Sequence, residues 1–292
     1  MKYSPASNAA FAFESFCFFC ASTGTEKINI ENIKKLILQI AKTDENVLIL
    51  GERGVGKDLI AQNLYLRSKR AGKPFVKINC ALIAGTALEN EIFGYEPNIL
   101  GDSQTKNIGV LEKVKGGVLF LDRIGEIPLT LQTKFFQLLQ SGDCSPLLDS
   151  DKPLKKNVWI IAATSRDLED DVIAGKFRQD LFCCLSTKKI ILEPLRKRPE
   201  DIPYLIQHYV QHYVKGLNSA KLKGPKKKSI RRMVEYPWPG NVRELQNIVQ
   251  RILIFGDNEE VFQYRTPVFN DDFIPPTDNL AIFDMSNCLS ML

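Results

Sequence analysis

One short segment combines glycines and a lysine at a spacing that suits phosphate. The segment GERGVGKD, residues 51–58, follows the apolar run NVLIL and opens a helical pattern. Glycine permits backbone conformations in which successive N–H groups converge on anionic oxygens. Lys57 can reach the outer phosphates of a nucleotide, and the start of a helix adds partial positive charge. The residues of this predicted phosphate-binding loop are Gly51, Glu52, Arg53, Gly54, Val55, Gly56, Lys57 and Asp58.

A second segment, GGVLFLDRIGE at residues 116–126, has the pattern of a buried strand that delivers Asp122 to the same site. A carboxylate at this place is expected to hold Mg²⁺, directly or through water. Arg123 then stands where nucleotide-hydrolysing sites usually keep a second carboxylate, and arginine cannot accept a proton. The segment leaves two possibilities open: a working ATPase with an unusual sequence, or a nucleotide-binding fold that has lost its chemistry.

Short apolar runs alternate with helical patterns over the first two thirds of the chain, which is typical of an α/β fold. The predicted strands are NVLIL (46–50), FVKINC (75–80), GVLFLD (117–122), VWIIAAT (158–164) and KIIL (189–192). Continuous apolar strands separated by helices predict a parallel sheet that is covered by helices on both faces. After Pro194 the strands stop and three helical patterns follow, which predicts a small all-helical domain.

The composition is that of an ordinary globular protein, with 44% hydrophobic and 25% charged residues among 292 and a net charge of +5. An odd count of seven cysteines indicates reduced thiols and predicts a cytoplasmic location. No apolar run is long enough to span a bilayer, so no membrane partner is expected. The CFFC segment at 17–20 and the pair His208 and His212 lack the further ligands of a zinc site, and we interpret both as structural.

Taken in order along the chain, these segments resemble the AAA+ central domain of bacterial enhancer-binding proteins, the activators of sigma-54 RNA polymerase. LILGERGVGKDLIA resembles the family's LILGESGTGKELVA, whose acidic last position accounts for Asp58. The resemblance covers residues 24–262 with almost no gaps. Further matching blocks are KPFVKINCALI, ENEIFGYE, GGVLFLDRIGEIPLTLQTKFFQLLQ, IIAATSRDL, GKFRQDL, PLRKRPEDIP and YPWPGNVREL.

The resemblance implies an AAA+ P-loop NTPase that binds ATP with Mg²⁺ and assembles as a hexamer, with each nucleotide held between neighbouring subunits. Within the lid, Arg243 matches the arginine that reaches the nucleotide phosphates. The tail carries no helix-turn-helix pattern for DNA, so the expected partners are further copies of this chain or a related activator. The predicted organisation is an N-terminal leader (1–23), an α/β nucleotide-binding domain (24–195), a helical lid domain (196–262) and an irregular C-terminal tail (263–292).

Three positions of the catalytic site depart from the family pattern. Arg123 replaces the glutamate that would polarise the attacking water, a contribution of about 10²–10⁴ in rate. Arg178 matches the first arginine of the FRxDLxxR block, the trans arginine finger, but Cys184 stands at the second. Ser165 takes the sensor position, commonly asparagine, where a hydroxyl still hydrogen-bonds with a shorter reach. These changes predict weak or absent hydrolysis.

The loop that contacts sigma-54 in the family also departs from its pattern. Its sequence GAFTGA aligns with NILGDS at residues 98–103, and none of the six letters agrees. Leu100 and Gly101 stand where the family loop carries an exposed aromatic side chain and a threonine. The contact with sigma-54 RNA polymerase is therefore expected to be impaired.

Three functions remain open at this point. The leading hypothesis is an ATP-binding regulator of transcription that hydrolyses poorly and acts through assembly or sequestration. The second is an active ATPase that remodels sigma-54 RNA polymerase through an altered loop. The third is a non-enzymatic nucleic-acid-binding protein that uses the basic run KLKGPKKKSIRR, residues 221–232, although such a run is more typical of a solvated helix face.

Overall fold

The chain divides into two compact units, with the boundary between Glu193 and Pro194. The computed structural model describes residues 30–83, 85–95, 107–141, 143–144, 154–155, 157–216, 223–258 and 260–263. The CFFC segment, residues 98–103, the predicted leader and nearly all of the predicted tail lie outside the described residues.

The first unit is an α/β structure. Its helices and strands are α1 (Ile30–Ile40), β1 (Val47–Leu50), α2 (Lys57–Arg67), β2 (Phe75–Asn79), α3 (Gly85–Phe93), β3 (Gly94–Tyr95), β4 (Asn107–Ile108), α4 (Val110–Lys113), β5 (Val118–Asp122), a 3-10 helix (Ile124–Glu126), α5 (Leu129–Ser141), β6 (Asp143–Cys144), β7 (Leu154–Lys155), β8 (Trp159–Thr164), α6 (Leu168–Ile173), α7 (Gln179–Leu185) and β9 (Lys188–Ile191).

Five parallel strands form the central sheet, in the order β2-β5-β8-β1-β9. Side chains of β5 alternate between two apolar cores: Leu119 and Leu121 enter one, and Val118 and Phe120 enter the other. Burial on both faces explains why the strand is apolar at every position before Asp122. The predicted parallel sheet covered by helices on both faces is therefore confirmed.

The carboxyl ends of the strands bring the candidate chemistry to one edge of the sheet. Asp122 at the end of β5 is in register with Ala163 of β8, and Leu50 at the end of β1 is in register with Thr164. The phosphate-binding loop follows Leu50 directly. This is the edge at which open α/β sheets bind ligands.

In the part of the second unit that the structure describes, all the regular elements are helices. Trp238, in the segment between two of its helices, is buried and donates from its indole nitrogen to the carbonyl oxygen of Met233 at 2.7 Å. Asn241 is also buried and accepts a hydrogen bond from the backbone N–H of Leu195 at 2.7 Å. The elements of the second unit are two 3-10 helices (Leu195–Lys197 and Pro199–Asp201), α8 (Ile202–Gly216), α9 (Lys227–Glu235), α10 (Asn241–Phe255) and α11 (Glu260–Gln263).

The sequence predicts neither a membrane-spanning segment nor a zinc site, and the structure bears on both predictions within the residues that it describes. Among the described residues, no helix combines the length and the apolar character needed to cross a membrane. The same residues contain no cluster of three or more His, Cys, Asp or Glu side chains suited to a metal ion. His208 and His212 instead stack on each other along α8, with ring centroids 6.5 Å apart.

Candidate functional site

The phosphate-binding loop joins β1 to α2 and depends on glycine at several positions. Gly54 and Gly56 have φ angles of 76° and 104°, which side-chain-bearing residues rarely adopt. A Cβ atom on Gly51 would lie 2.8 Å from the backbone carbonyl oxygen of Leu192, too close for any other residue. Gly56, the residue just before α2, has no side chain that could cap the helix. Backbone N–H groups at the start of α2 can therefore donate to an anion.

Lys57 is the first residue of α2 and folds back over the loop. Its ammonium donates to the carbonyl oxygens of Gly51 and Glu52 at 2.7 Å and 2.8 Å. Burial lowers the pKa of Lys57 to about 8, although the carboxylates of Asp122 and Asp58 act in the opposite direction. The loop therefore holds a half-buried cation at the start of the helix, where a phosphate would meet it.

A lysine that the sequence did not single out links the two carboxylates of the site. Lys77 lies in β2, and its ammonium is 2.6 Å from Asp58 and 3.2 Å from Asp122. Burial lowers the pKa of Lys77, but the two carboxylates outweigh it and the pKa is raised above its ordinary value. One signal for this role was available, since Lys77 is the one charged residue within the strand FVKIN, which pairs with β5.

Arg123 follows Asp122 in a left-handed backbone conformation, with φ of 59° and ψ of 45°, and begins a sharp turn. Glu126, at the end of that turn, accepts a hydrogen bond from Arg166 at 3.2 Å. Arg166 in turn makes a bidentate pair with Asp171, at 2.7 Å and 2.8 Å. The acidic residue closest in sequence after Arg123 is thus already engaged by an arginine.

Two further predicted site residues, Ser165 and Arg178, lie next to the ends of secondary-structure elements. Ser165 is exposed directly after β8, at the same sheet edge as Asp122. Arg178 precedes α7 and pairs with Asp180, with Nε–Oδ1 and Nη2–Oδ2 distances of 3.0 Å and 2.6 Å. Its remaining terminal nitrogen donates to Thr133 at 3.3 Å, and 40% of the side chain is exposed.

The local structure does not test the predictions made for Cys184 and Arg243. Cys184 lies half-buried in α7, and its backbone carbonyl accepts a hydrogen bond from the Asn46 side chain at 3.3 Å. Arg243 is exposed on the first turn of α10 in the second unit. The role of Arg243 in contacting phosphates remains a prediction.

With this geometry established, comparison with known proteins decides the family. The sigma-54 interaction domain family matches residues 24–191, more than half of the chain. The chain belongs to this family. The AAA+ ATPase lid domain family matches residues 196–267, in the helical unit. The predicted resemblance to sigma-54-dependent activators is therefore confirmed.

Two curated relatives of this sigma-54 interaction domain are named as transcriptional regulators. The DNA-binding transcriptional regulator NtrC of Rhizobium meliloti is 39% identical over 224 residues, which cover 76% of this chain and 46% of the relative. The DNA-binding transcriptional activator HyfR of Escherichia coli is 40% identical over 225 residues, covering 77% of this chain and 33% of the relative. The chain spans about half or less of the length of these two relatives.

Solved structures of NtrX from Brucella abortus share the fold of this sigma-54 interaction domain. The complex with ADP superposes with a TM-score of 0.72 at 26% identity, covering 92% of this chain and 60% of NtrX. The complex with ATP gives a TM-score of 0.68 at 25% identity, covering 97% of this chain and 63% of NtrX. The AAA+ P-loop fold predicted from the sequence is confirmed.

Proposed function

We propose that this chain is an ATP-binding regulator of sigma-54-dependent transcription that hydrolyses ATP weakly or not at all. The observation that carries the proposal is the end of β5, where Asp122 is retained and Arg123 follows it. Such a site can bind a triphosphate, but it lacks the carboxylate that would orient the attacking water. A protein of this kind acts through the assembly that it forms while nucleotide is bound.

Nucleotide binding is supported by the phosphate-binding loop. Gly54 and Gly56 have the positive φ angles that allow backbone N–H groups to converge on an anion. Lys57 stands at the positive end of the α2 dipole, where phosphates bind in many folds. NtrX, a protein with the same fold, has been solved with ADP and with ATP, and we infer the same class of ligand here.

Asp122 and Asp58 are the residues that would hold the Mg²⁺ of a bound nucleotide. Their carboxylate oxygens are hard donors of the kind that Mg²⁺ takes, and both lie in contact with the ammonium of Lys77. The donor set therefore fits the ion. When bound, Mg²⁺ neutralises charge on the β and γ phosphate oxygens.

Weak hydrolysis is supported by the surroundings of Arg123. A guanidinium stays protonated and cannot act as a general base. Glu126 is not placed to take over, because it is paired with Arg166 at 3.2 Å. Loss of a general base typically lowers a rate by about 10²–10⁴-fold.

An assembled state is supported by Arg178, which we assign as the arginine that one subunit presents to the nucleotide of the next. Asp180 holds its guanidinium in place, yet much of the side chain stays exposed. Cys184, where the family has a second arginine, brings no charge to the transferring phosphoryl group. A hexamer of this chain, or its co-assembly with a related activator, would therefore hold nucleotide between subunits and turn it over slowly.

The deciding experiment measures ATP binding and phosphate release by the purified chain and by Arg123→Glu. We expect the unaltered chain to bind a fluorescent ATP analogue while releasing little phosphate. Arg123→Glu restores a water-orienting carboxylate, so phosphate release should rise by at least about tenfold. Lys115→Glu makes the same charge change at an exposed position and serves as the matched control.

Two outcomes would count against the proposal. If the unaltered chain and Arg123→Glu release phosphate at the same brisk rate, hydrolysis is not impaired. If neither ATP nor ADP binds, the site is not a nucleotide site.

The second candidate is an active ATPase that remodels sigma-54 RNA polymerase through an altered loop. Its support is the complete five-stranded sheet and the phosphate-binding loop, together with relatives such as HyfR that are named transcriptional activators. This candidate requires Arg123→Glu to change turnover little. It also requires the chain to stimulate transcription by purified sigma-54 RNA polymerase in an ATP-dependent manner.

A further inference from the structure

The exposed side of α9 carries a dense set of positive charges. Its sequence KKSIRRMVE contains four basic residues and one acidic residue, Glu235, at its end. Two pairs that are each one helical turn apart, Lys227 with Arg231 and Lys228 with Arg232, share one face of the helix. All four of these basic side chains are exposed. We refer to this surface as the basic face of α9.

The basic face has no partner of opposite charge among the residues that the structure describes. None of its four cations makes an ion pair there, and neither do the exposed lysines just before the helix, Lys223 and Lys226. Arg232 contacts a ring instead, with its guanidinium carbon 4.9 Å from the centre of the Phe262 ring. In the first unit, by contrast, Arg166 makes a bidentate pair with a carboxylate. The positive charge of α9 is therefore available to another molecule.

The charges also lie where they weaken the helix that carries them. The first turn of α9 holds Lys227 and Lys228 and no acidic residue, so both cations oppose the helix dipole. The start of α9 is held from outside the helix, by Asp257. This carboxylate accepts from the backbone N–H of Lys226 at 2.6 Å and from the hydroxyl of Ser229 at 2.7 Å. The basic face thus lies on an anchored helix, and its charges do not stabilise that helix.

The chemistry of this face favours double-stranded DNA over other anionic partners. Met233 is buried and Ile230 half-buried on the opposite side of α9, so the basic face offers no apolar surface that could enter a membrane. Lysine, which supplies most of the charge from residue 223 to residue 232, is depleted at protein–protein interfaces. The helix also has no aromatic side chain on which an unpaired base could stack. Double-stranded DNA presents one negative charge for about every 1.7 Å of its axis and binds such cations without base contacts.

We propose that the basic face of α9 binds the phosphate backbone of double-stranded DNA without reading its sequence. Lys227, Lys228 and Arg231 supply the phosphate contacts. Each contact releases counterions that are condensed on the DNA, so the affinity falls steeply as the salt concentration rises. The surface uses no residue of the nucleotide site, and the proposal is therefore independent of the proposed function.

The test removes three charges from the basic face of the full chain, as Lys227→Gln, Lys228→Gln and Arg231→Gln together. The control variant removes three exposed lysines of the first unit: Lys69→Gln, Lys73→Gln and Lys115→Gln. The two variants have the same net charge, so a difference between them reports the position of the charges. Fluorescence anisotropy follows binding of a labelled duplex of arbitrary sequence, without nucleotide, between about 50 and 200 mM salt.

The expected result is a loss of DNA binding that is confined to the variant of the basic face. The unaltered chain and the control variant should bind the duplex with affinities within about threefold of each other. The triple variant of α9 should bind at least about tenfold more weakly at the lowest salt concentration. The slope of log affinity against log salt should fall by about 0.9 for each lost contact, and Arg231→Gln alone should lower it by that single step.

Thermal unfolding separates lost binding from lost structure. The triple variant of α9 should unfold at a temperature no lower than that of the unaltered chain, because it removes two lysines that oppose the helix dipole. Weak binding by this folded variant then belongs to the missing charges. Arg231→Gln and the salt dependence of the unaltered chain test the same contacts if the triple variant unfolds early.

Three outcomes would overturn the proposal. The first is that the unaltered chain does not bind the duplex at the lowest salt concentration. The second is that the triple variant of α9 and the control variant bind it equally well. The third comes from competition on the unaltered chain: if polyglutamate or single-stranded DNA at equal charge displaces the labelled duplex as readily as unlabelled duplex does, the face binds anions in general. Displacement by unlabelled duplex alone supports a DNA-binding surface.

Discussion

The side-chain ammonium of Lys57 lies 2.7 Å from the backbone carbonyl oxygen of Gly51, at the opposite end of the same loop. The Lys57 side chain therefore folds back over the loop that precedes it, and the glycines that shape this loop also position the positive charge of Lys57. A second carbonyl, that of Glu52, accepts from the same ammonium at 2.8 Å. Phosphate oxygens would compete with these carbonyls for the ammonium, and a charged acceptor makes the stronger hydrogen bond.

Replacement of Lys57 by alanine should remove most of the affinity for ATP and leave the fold intact. The variant loses charge-assisted hydrogen bonds to phosphate, so we expect a loss of about 30–100-fold in affinity. Titration with a fluorescent ATP analogue measures this loss, and circular dichroism reports the fold. Lys69→Ala removes an exposed lysine just beyond α2 and should bind as the unaltered chain does. Equal affinity in both variants would place the phosphates elsewhere.

Replacement of Gly51 by alanine should destabilise the first unit far more than the same change at Gly72. Both glycines have positive φ angles, but only at Gly51 would the new Cβ atom meet backbone, 2.8 Å from the Leu192 oxygen. Strain and overlap together cost about 2–5 kcal/mol at Gly51, whereas strain alone costs about 1–2 kcal/mol at Gly72. Urea unfolding compares the two. Equal losses would show that the loop yields to the extra atom.

The sequence predicted the sheet and the phosphate-binding loop because both are encoded locally. A strand such as β5 is apolar at each position before its final Asp122 because both of its faces are buried, and this pattern is visible without any structure. Gly54, Gly56 and Lys57 are neighbours in the chain, so their spacing alone indicates an anion site. Family membership could be predicted for the same reason, since the matching blocks follow one another in order.

Contacts between distant segments could not be predicted from the sequence. Lys77 reaches Asp122 because β2 and β5 are adjacent in the sheet, although 45 positions separate the two residues in the numbering. The pair of Arg166 and Glu126 depends in the same way on β8 lying beside β5. Both contacts join charged side chains from separate strands or from the turns that follow them, and apolar periodicity carries no information about such partners.

The stability of the second unit should depend on the ionisation of Asp201. This residue is 5% exposed, and burial raises its pKa to about 6, although Arg198 acts in the opposite direction and Glu200 in the same one. The folded state therefore binds a proton more tightly than the unfolded state, whose pKa is near 3.8. Between these two values this group's contribution to the free energy of unfolding falls as the pH rises, by at most about 3 kcal/mol.

Asp201→Asn removes this titration, so the variant should gain stability relative to the unaltered chain as the pH rises from 4 to 6. Urea unfolding at several pH values, followed by tryptophan fluorescence, measures the difference. Glu235→Gln removes an exposed carboxylate at the end of α9 and should show no such trend. A constant difference between Asp201→Asn and the unaltered chain across this range would mean that Asp201 ionises normally in the folded protein.

The backbone of Arg123 is strained, because its φ of 59° lies in the left-handed region. Glycine adopts this conformation without the clash between Cβ and the following carbonyl oxygen. We therefore expect Arg123→Gly to be more stable than Arg123→Ala by about 1 kcal/mol, since both lack the guanidinium and only alanine keeps Cβ. Thermal unfolding of the two variants measures the difference, which isolates the backbone from the charge. Equal stability would show that the turn after Asp122 relaxes once the arginine is gone, and that the guanidinium itself holds the strained conformation.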